Sequence, residues 1–167
     1  MRHLLTAAFL GMAVYATFPV SAGAGQFVPT VRCNEIGLYS KTGDDSGYRK
    51  VLGAVSAPPR YIPGGTVHVT SPDGFSHWSK AGIWVHAGNT VVTVSLPNEW
   101  RGKARIVWGA PGTAATAVRF EPCRSLGAAW DGYAGGFLLR TKSACVPLIF
   151  AVGNRRATLR FGVGRHC

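Results

Sequence analysis

The side chains able to do chemistry in this sequence are few, and their spacing points away from catalysis. The carboxylates number seven: Glu35, Asp44, Asp45, Asp73, Glu99, Glu121 and Asp131. Hydrolysis by paired carboxylates needs two acids aimed at one bond. Asp44, Asp45 and Asp73 fall in turn sequences, where Asp serves the backbone by local hydrogen bonding. Glu121 alternates with Arg119 on an exposed strand face. Glu99 and Asp131 stand beside Trp100 and Trp130 in segments read as loops, the one setting that suits a site. Nucleophilic catalysis is no better served: there is no G-x-S-x-G elbow. Asp73, Ser76 and His77 are neighbours in one polar turn, whereas a triad is defined in space by partners that orient one another. His68, His77 and His86 recur at intervals of nine, and His68 and His86 on adjacent strands would be able to share a zinc. No His-x-His pair or accompanying glutamate supports this, and the surroundings are basic, so chance spacing is the better reading. Gly109-Ala110-Pro111-Gly112 lacks the Lys-Ser/Thr and the following helix of a phosphate-cradling loop. No catalytic, cofactor-binding or metal-binding residue is assigned.

A binding surface remains. Trp100-Arg101-Gly102-Lys103-Ala104-Arg105 gathers three cations and an aromatic ring, with Trp108 just beyond. A second group runs through Arg124, Trp130, Tyr133, Arg140 and Lys142, and Arg155, Arg156, Arg160 and Arg165 follow. Aromatic rings beside cations can stack on sugars or bases while pairing with anionic groups. The candidate surface for an anionic ligand is therefore Trp100, Arg101, Lys103, Arg105, Trp130 and Tyr133. The competing reading makes Trp100 and Trp130 gap-fillers at the ends of the fold and the arginines solvated decoration. Net charge favours an anionic partner: 18 Lys and Arg oppose 7 acids, giving +11. Such a balance suits anionic wall polymers, acidic polysaccharide or anionic lipid. Nucleic acid is the poorest candidate, because no recognised nucleic-acid-binding motif is present. The alternatives are recognition of a protein partner, by an exposed strand edge or apolar loop patch, and a small enzyme of unrecognised type.

The elements that must hold these residues are strands. Thr90–Leu96 sets Val92, Val94 and Leu96 on one face. Ala117–Pro122 sets Val118 and Phe120 against Arg119 and Glu121, and Ala157–Val163 sets Ala157, Leu159, Phe161 and Val163 against Thr158, Arg160 and Gly162. In Thr66–Thr70 the valines are expected to face inward. Further strands are expected at 27–32, 48–54, 82–86, 103–108, 136–140 and 145–152. Breakers at 42–47, 62–65, 71–74, 87–89, 109–112 and 153–154 separate them. No window carries a 3.6-residue period with caps. The expectation is one all-β domain, an antiparallel immunoglobulin-like β-sandwich with Greek-key connections, with a closed barrel as the alternative.

The first two dozen residues have the layout of an export signal: Arg2 and His3, the apolar run Leu4–Phe18, and Ala22-Gly23-Ala24. Pro19 cuts the run shorter than the ~20 apolar residues of a spanning helix. Cleavage after Ala24, or after Ala22, is expected to release a secreted domain of residues 25–167 with no membrane span. All four cysteines, Cys33, Cys123, Cys145 and Cys167, lie in that part, and in an exported chain they read as two disulfides. Three connectivities are open; Cys33–Cys123 with Cys145–Cys167 is preferred, because the latter two flank an expected hairpin.

The last third is the most distinctive stretch: Gly135-Gly136-Phe137, then Cys145-Val146-Pro147-Leu148, then Phe161-Gly162-Val163-Gly164-Arg165-His166-Cys167. It resembles a group of exported bacterial proteins of no known function whose domain ends in the same GGF, CVPL and FG-x-G-x-x-C succession. The resemblance spans roughly Thr116 to Cys167. It implies an immunoglobulin-like sandwich and a shared disulfide arrangement, and it brings no activity, cofactor or catalytic residue.

Overall fold

The computed structural model describes residues 27–43, 47–63, 65–124 and 127–167. The expected leader 1–24 with its cleavage points, the Asp44–Asp45 turn and Gly64 lie outside the described residues. In chain order the strands are β1 (Thr30–Val31), β2 (Leu38–Ser40), β3 (Arg49–Val51), β4 (Val55–Ala57), β5 (Tyr61–Ile62), β6 (Val67–His68), β7 (His77–Lys80) and β8 (Ile83–His86). There follow β9 (Val92–Ser95), β10 (Ala104–Trp108), β11 (Ala117–Phe120), β12 (Trp130–Tyr133), β13 (Gly135–Leu139), β14 (Ala144–Val152) and β15 (Arg155–Val163). The helical elements among the described residues are two short 3-10 turns, Cys33–Glu35 and Asn98–Trp100. None is long and apolar enough to cross a membrane.

One layer is a six-stranded sheet in the order β1-β11-β9-β14-β15-β5. The other is built from two ladders, β10-β13-β7-β6 and β2-β12-β8-β4-β3. These two are halves of one bent surface. Trp130 pairs with His86 at one end and Leu139 with His77 at the other, in a single unbroken register. Ala81 N–H donates to the Gly135 carbonyl at 2.7 Å where the surface pinches. The layers pack face to face and do not close into a barrel: Phe137 meets Phe161 at 5.9 Å between ring centroids, Trp108 meets Phe120 at 6.3 Å and Phe120 meets Tyr133 at 5.0 Å. Val92, Val94, Phe120, Leu148, Phe150 and Phe161 are fully buried between them, each contributing ~1.5–3 kcal/mol.

The architecture is thus the expected all-β sandwich, mainly antiparallel. Its edge strands β1 and β5 are parallel to their neighbours. β1 is also tied covalently to its neighbour. Val31 lies beside Phe120, and both segments run on in the same direction to Cys33 and Cys123, which form a disulfide. Cys145 and Cys167 are likewise brought thiol to thiol, in the preferred pairing but without the bond.

Three expectations need correction. Trp130–Tyr133, read as loop, is β12, a central strand between β2 and β8 and buried along its whole length. Gly132 is bare because the Trp84 ring lies against it; a Cβ there would stand 2.6 Å from the ring. The valines of 66–70 do not face a core: Val67 is 57% exposed on an edge strand. The segment 48–54 is not one strand. Leu52 and Gly53, at φ 54° and 71°, turn the chain from β3 into β4, as a type I′ hairpin turn requires.

Candidate anion-binding surface

After Pro97 the chain makes the 3-10 turn that ends at Trp100, with Trp100 N–H donating to the Pro97 carbonyl at 2.9 Å. Lys103 N–H then returns to the Trp100 carbonyl at 2.9 Å, and β10 begins. This tight reversal leaves Trp100 half-buried against the core and holds the Lys103 ammonium 5.5 Å from its ring centroid. From the end of β13, Arg140 reaches the same place: its N–H donates to the Lys103 carbonyl at 3.3 Å and its Nε to the Gly102 carbonyl at 2.8 Å.

Between these elements and the hairpin β14–β15 lies an open recess of about 450 Å³. It is lined by Trp100, Lys103, Arg140 and Arg165, with the hydroxyl-bearing Thr141 and Ser143 and with Cys145 at its edge. Among the described residues, no carboxylate lines it. Half of the expected basic cluster, Trp100 and Lys103, therefore faces one recess. Arg101 is exposed outside its lining. Arg105 turns away: its guanidinium bonds to the Arg101 and Ala104 carbonyls and stands 4.2 Å from the centroid of Phe75. Arg140 stands over the same ring at 4.3 Å. Trp130 and Tyr133 are not surface residues: they are 7% and 2% exposed, Trp130 beneath Lys50 at 3.7 Å and Tyr133 against Phe120. Arg140 and Arg165 are the members that no sequence pattern joins to Trp100, since they come from distant strands.

Glu99 is exposed in the 3-10 turn beside Trp100, outside the recess lining; Glu35, Glu121, Asp131 and Asp73 stand elsewhere. Burial pushes the Tyr133 hydroxyl pKa far up, and the negative charges of Asp131, Glu121 and Glu35 around it add to that shift. Glu121 accepts the Cys33 N–H at 2.6 Å and Glu35 the Arg32 N–H at 3.0 Å, so both brace the disulfide end of the sandwich. Cys33, Glu121 and Cys123 lie close enough to hold a metal ion, but the two sulfurs are bonded to each other. Asp73 accepts from the Ser71 hydroxyl and the Phe75 N–H, a turn-capping role, and these bonds, the Ser71 one foremost, lower its pKa. His77 faces His68, with ring centroids 5.8 Å apart, while His86 pairs with Trp130; His68 and His86 are not neighbours. A further recess of about 290 Å³ is mostly apolar and lies over Trp84, Tyr48 and Leu38, with Lys80 at its rim.

What the arrangement can do is hold negative charge. Three cations from three segments, an aromatic ring and two hydroxyls are the donors and stacking surface that a charged sugar or phosphate-bearing chain requires. No family model, curated protein or solved structure matches this chain.

Proposed function

We propose that the chain is an exported, non-enzymatic domain that holds an anionic polymer of the cell envelope or its surroundings. The observation that carries this reading is the recess lined by Trp100, Lys103, Arg140 and Arg165, with no carboxylate among its described lining residues, in a chain of net charge +11. Its open shape suits a polymer passing across it more than a small molecule enclosed within it. The gathering of Glu35, Glu121 and Asp131 around Tyr133 supports the reading too, because it keeps three of the seven acids out of the lining.

The test is retention of residues 25–167 on immobilised polyanions across a salt series. Retention should fall steeply with salt, since exposed charge pairs are screened within about 8–10 Å at ordinary ionic strength. Lys103→Ala should weaken it about two- to fivefold without lowering thermal stability. Salt-resistant retention, or no effect of Lys103→Ala and Trp100→Ala, would remove the basis of the proposal. A protein partner is the second reading, favoured by the apolar recess beside edge strand β2, where Leu38 and Tyr39 are 64% and 54% exposed. It predicts salt-insensitive binding lost on Leu38→Asp.

A further inference from the structure

The segment Gly164–Cys167 folds back across β15 as a strap, and two glycines make this geometry. Gly164 turns the chain at φ 66°, packed against the Lys142 carbonyl. Gly162 lies beneath the strap, where any Cβ would run into the backbone of Arg165 and Cys167. Cys145 is the cross-strand partner of Gly162, which is why Cys167, lying over that glycine, meets the Cys145 thiol. The strap thus parts the surface: Arg165 lines the recess with Trp100 and Lys103, while His166 and Cys167 line a second recess on the other side.

That second recess, of about 310 Å³, is walled by Arg60, Tyr61, Arg160, His166 and Cys167. Its Tyr61 and His166 rings are stacked 4.2 Å apart at 18°. Arg60 arrives from the lead-in to β5, whose carbonyl accepts the Gly162 N–H at 2.6 Å; Arg160 comes from β15 and His166 from the strap. Among the described residues, no Asp or Glu side chain lines it. Behind it Arg49 lies over Phe161 at 5.0 Å, and its buried Nε and Nη2 have no hydrogen-bond partner among the described residues. Burial and then the charge of Arg60 lower the Arg49 pKa, since both disfavour the charged guanidinium.

We propose that this recess is a second anion subsite, in which Arg60, Arg160 and His166 hold one phosphate-class group while the Trp100–Lys103–Arg140 recess holds another on the same polymer. Three nitrogen-bearing side chains converging from three segments offer donors in more directions than the planar pair of carboxylate oxygens can use; a tetrahedral oxyanion can accept from all of them. The stacked Tyr61 ring fixes the plane of the His166 imidazole and gives a flat surface for the group that carries the phosphate. The pairing of the two recesses on one polymer rests on the function proposed above; the second subsite itself does not.

The experiment is titration of residues 25–167 with inorganic phosphate, and separately with acetate, read on the His166 imidazole resonances, which a His166→Gln variant assigns. Phosphate should move them saturably and acetate should not. Arg60→Ala together with Arg160→Ala should weaken phosphate roughly tenfold, and Arg119→Ala, on the exposed face of β11, should leave it unchanged. Should the double alanine variant melt early, Arg60→Gln with Arg160→Gln removes the same charges while keeping more of each side chain. An unmoved His166, an equal response to acetate, or an equal response in the double variant would overturn the subsite. The same double variant is then run on immobilised inorganic polyphosphate, where retention should also fall; undiminished retention would overturn the sharing of one polymer. Because the titration reads His166 and not retention, a chain that holds no polymer can still bind phosphate here, so the two failures are distinguishable.

Discussion

Gly162 lies directly beneath the carbonyl of Arg165, with no room for a side chain between them. This contact lets the strap cross β15 and set Arg165 and His166 on opposite sides of it. Gly162 is not at positive φ, so its backbone accepts alanine, and the question is one of space alone. Replacing a strand glycine with alanine gains roughly 0.5–1 kcal/mol in backbone entropy, whereas forcing a methyl into a filled site costs about 1–3 kcal/mol. The clash should win. Gly162→Ala should lower stability by ~1–2 kcal/mol in urea unfolding and weaken retention on polyanions by displacing both recess walls. A Gly162→Ala variant as stable as the parent would show that the strap moves aside freely.

Phe75 is 1% exposed with the guanidinium groups of Arg105 and Arg140 both over its ring. The ring therefore fixes where Arg140 stands, and through it one wall of the first recess. Phe75→Leu keeps most of the apolar volume and removes the ring. A double-mutant cycle with Arg140→Gln should give a coupling of about 0.5–1 kcal/mol, the size of a partly exposed cation–π contact. Strict additivity of the two substitutions would mean that ring and guanidinium do not depend on each other.

The strands legible in the sequence are those with one wet face. Val92 and Val94, Val118 and Phe120, and Phe161 and Val163 alternate with exposed or half-exposed neighbours, except at Gly162, and spacing alone places them. β12 and β4 escape such reading because both of their faces are covered: every residue of Trp130–Tyr133 and Val55–Ala57 is buried. With no alternation to read, Trp130–Tyr133 passes for a loop, and Trp130 and Tyr133 pass for surface aromatics. Trp100 and Lys103 are recognisable together because they are neighbours in the chain. Arg140 and Arg165 join them only through the pairing of β10 with β13 and of β14 with β15, which no local pattern encodes.

The Cys33–Cys123 bridge ties strand β1 to the end of β11 across a separation of 90 residues. A loop of that length is strongly restricted in the unfolded chain, and removing such a bridge costs about 2–5 kcal/mol. Cys33→Ala with Cys123→Ala should therefore lower the unfolding midpoint substantially and loosen the Arg119 N–H bond to the Pro29 carbonyl, now 2.9 Å. Amide exchange reads the second effect directly. Equal protection of Arg119 in parent and variant would show that β1 is held by its ladder and not by the bridge.

The Cys145–Cys167 pair predicts a different pH response in the reduced chain. Burial first, and then the neighbouring Cys145 thiol, push the Cys167 pKa up to about 11 from its ordinary 9.0. A raised thiol pKa means that the folded chain holds this proton more tightly than the unfolded one. The associated stability is present below about pH 9 and is lost as pH rises toward about 11. The thiolate is the reactive form, so alkylation of Cys167 near neutral pH should be far slower than that of a free cysteine peptide. Its rate should keep climbing about tenfold per pH unit beyond about pH 9. Peptide-resolved mass spectrometry of iodoacetamide labelling measures this profile, and a plateau already reached at about pH 9 would show that the strap does not shelter the thiol. The same measurement on chain oxidised beforehand should find Cys145 and Cys167 unlabelled together, since the strap already holds them side by side.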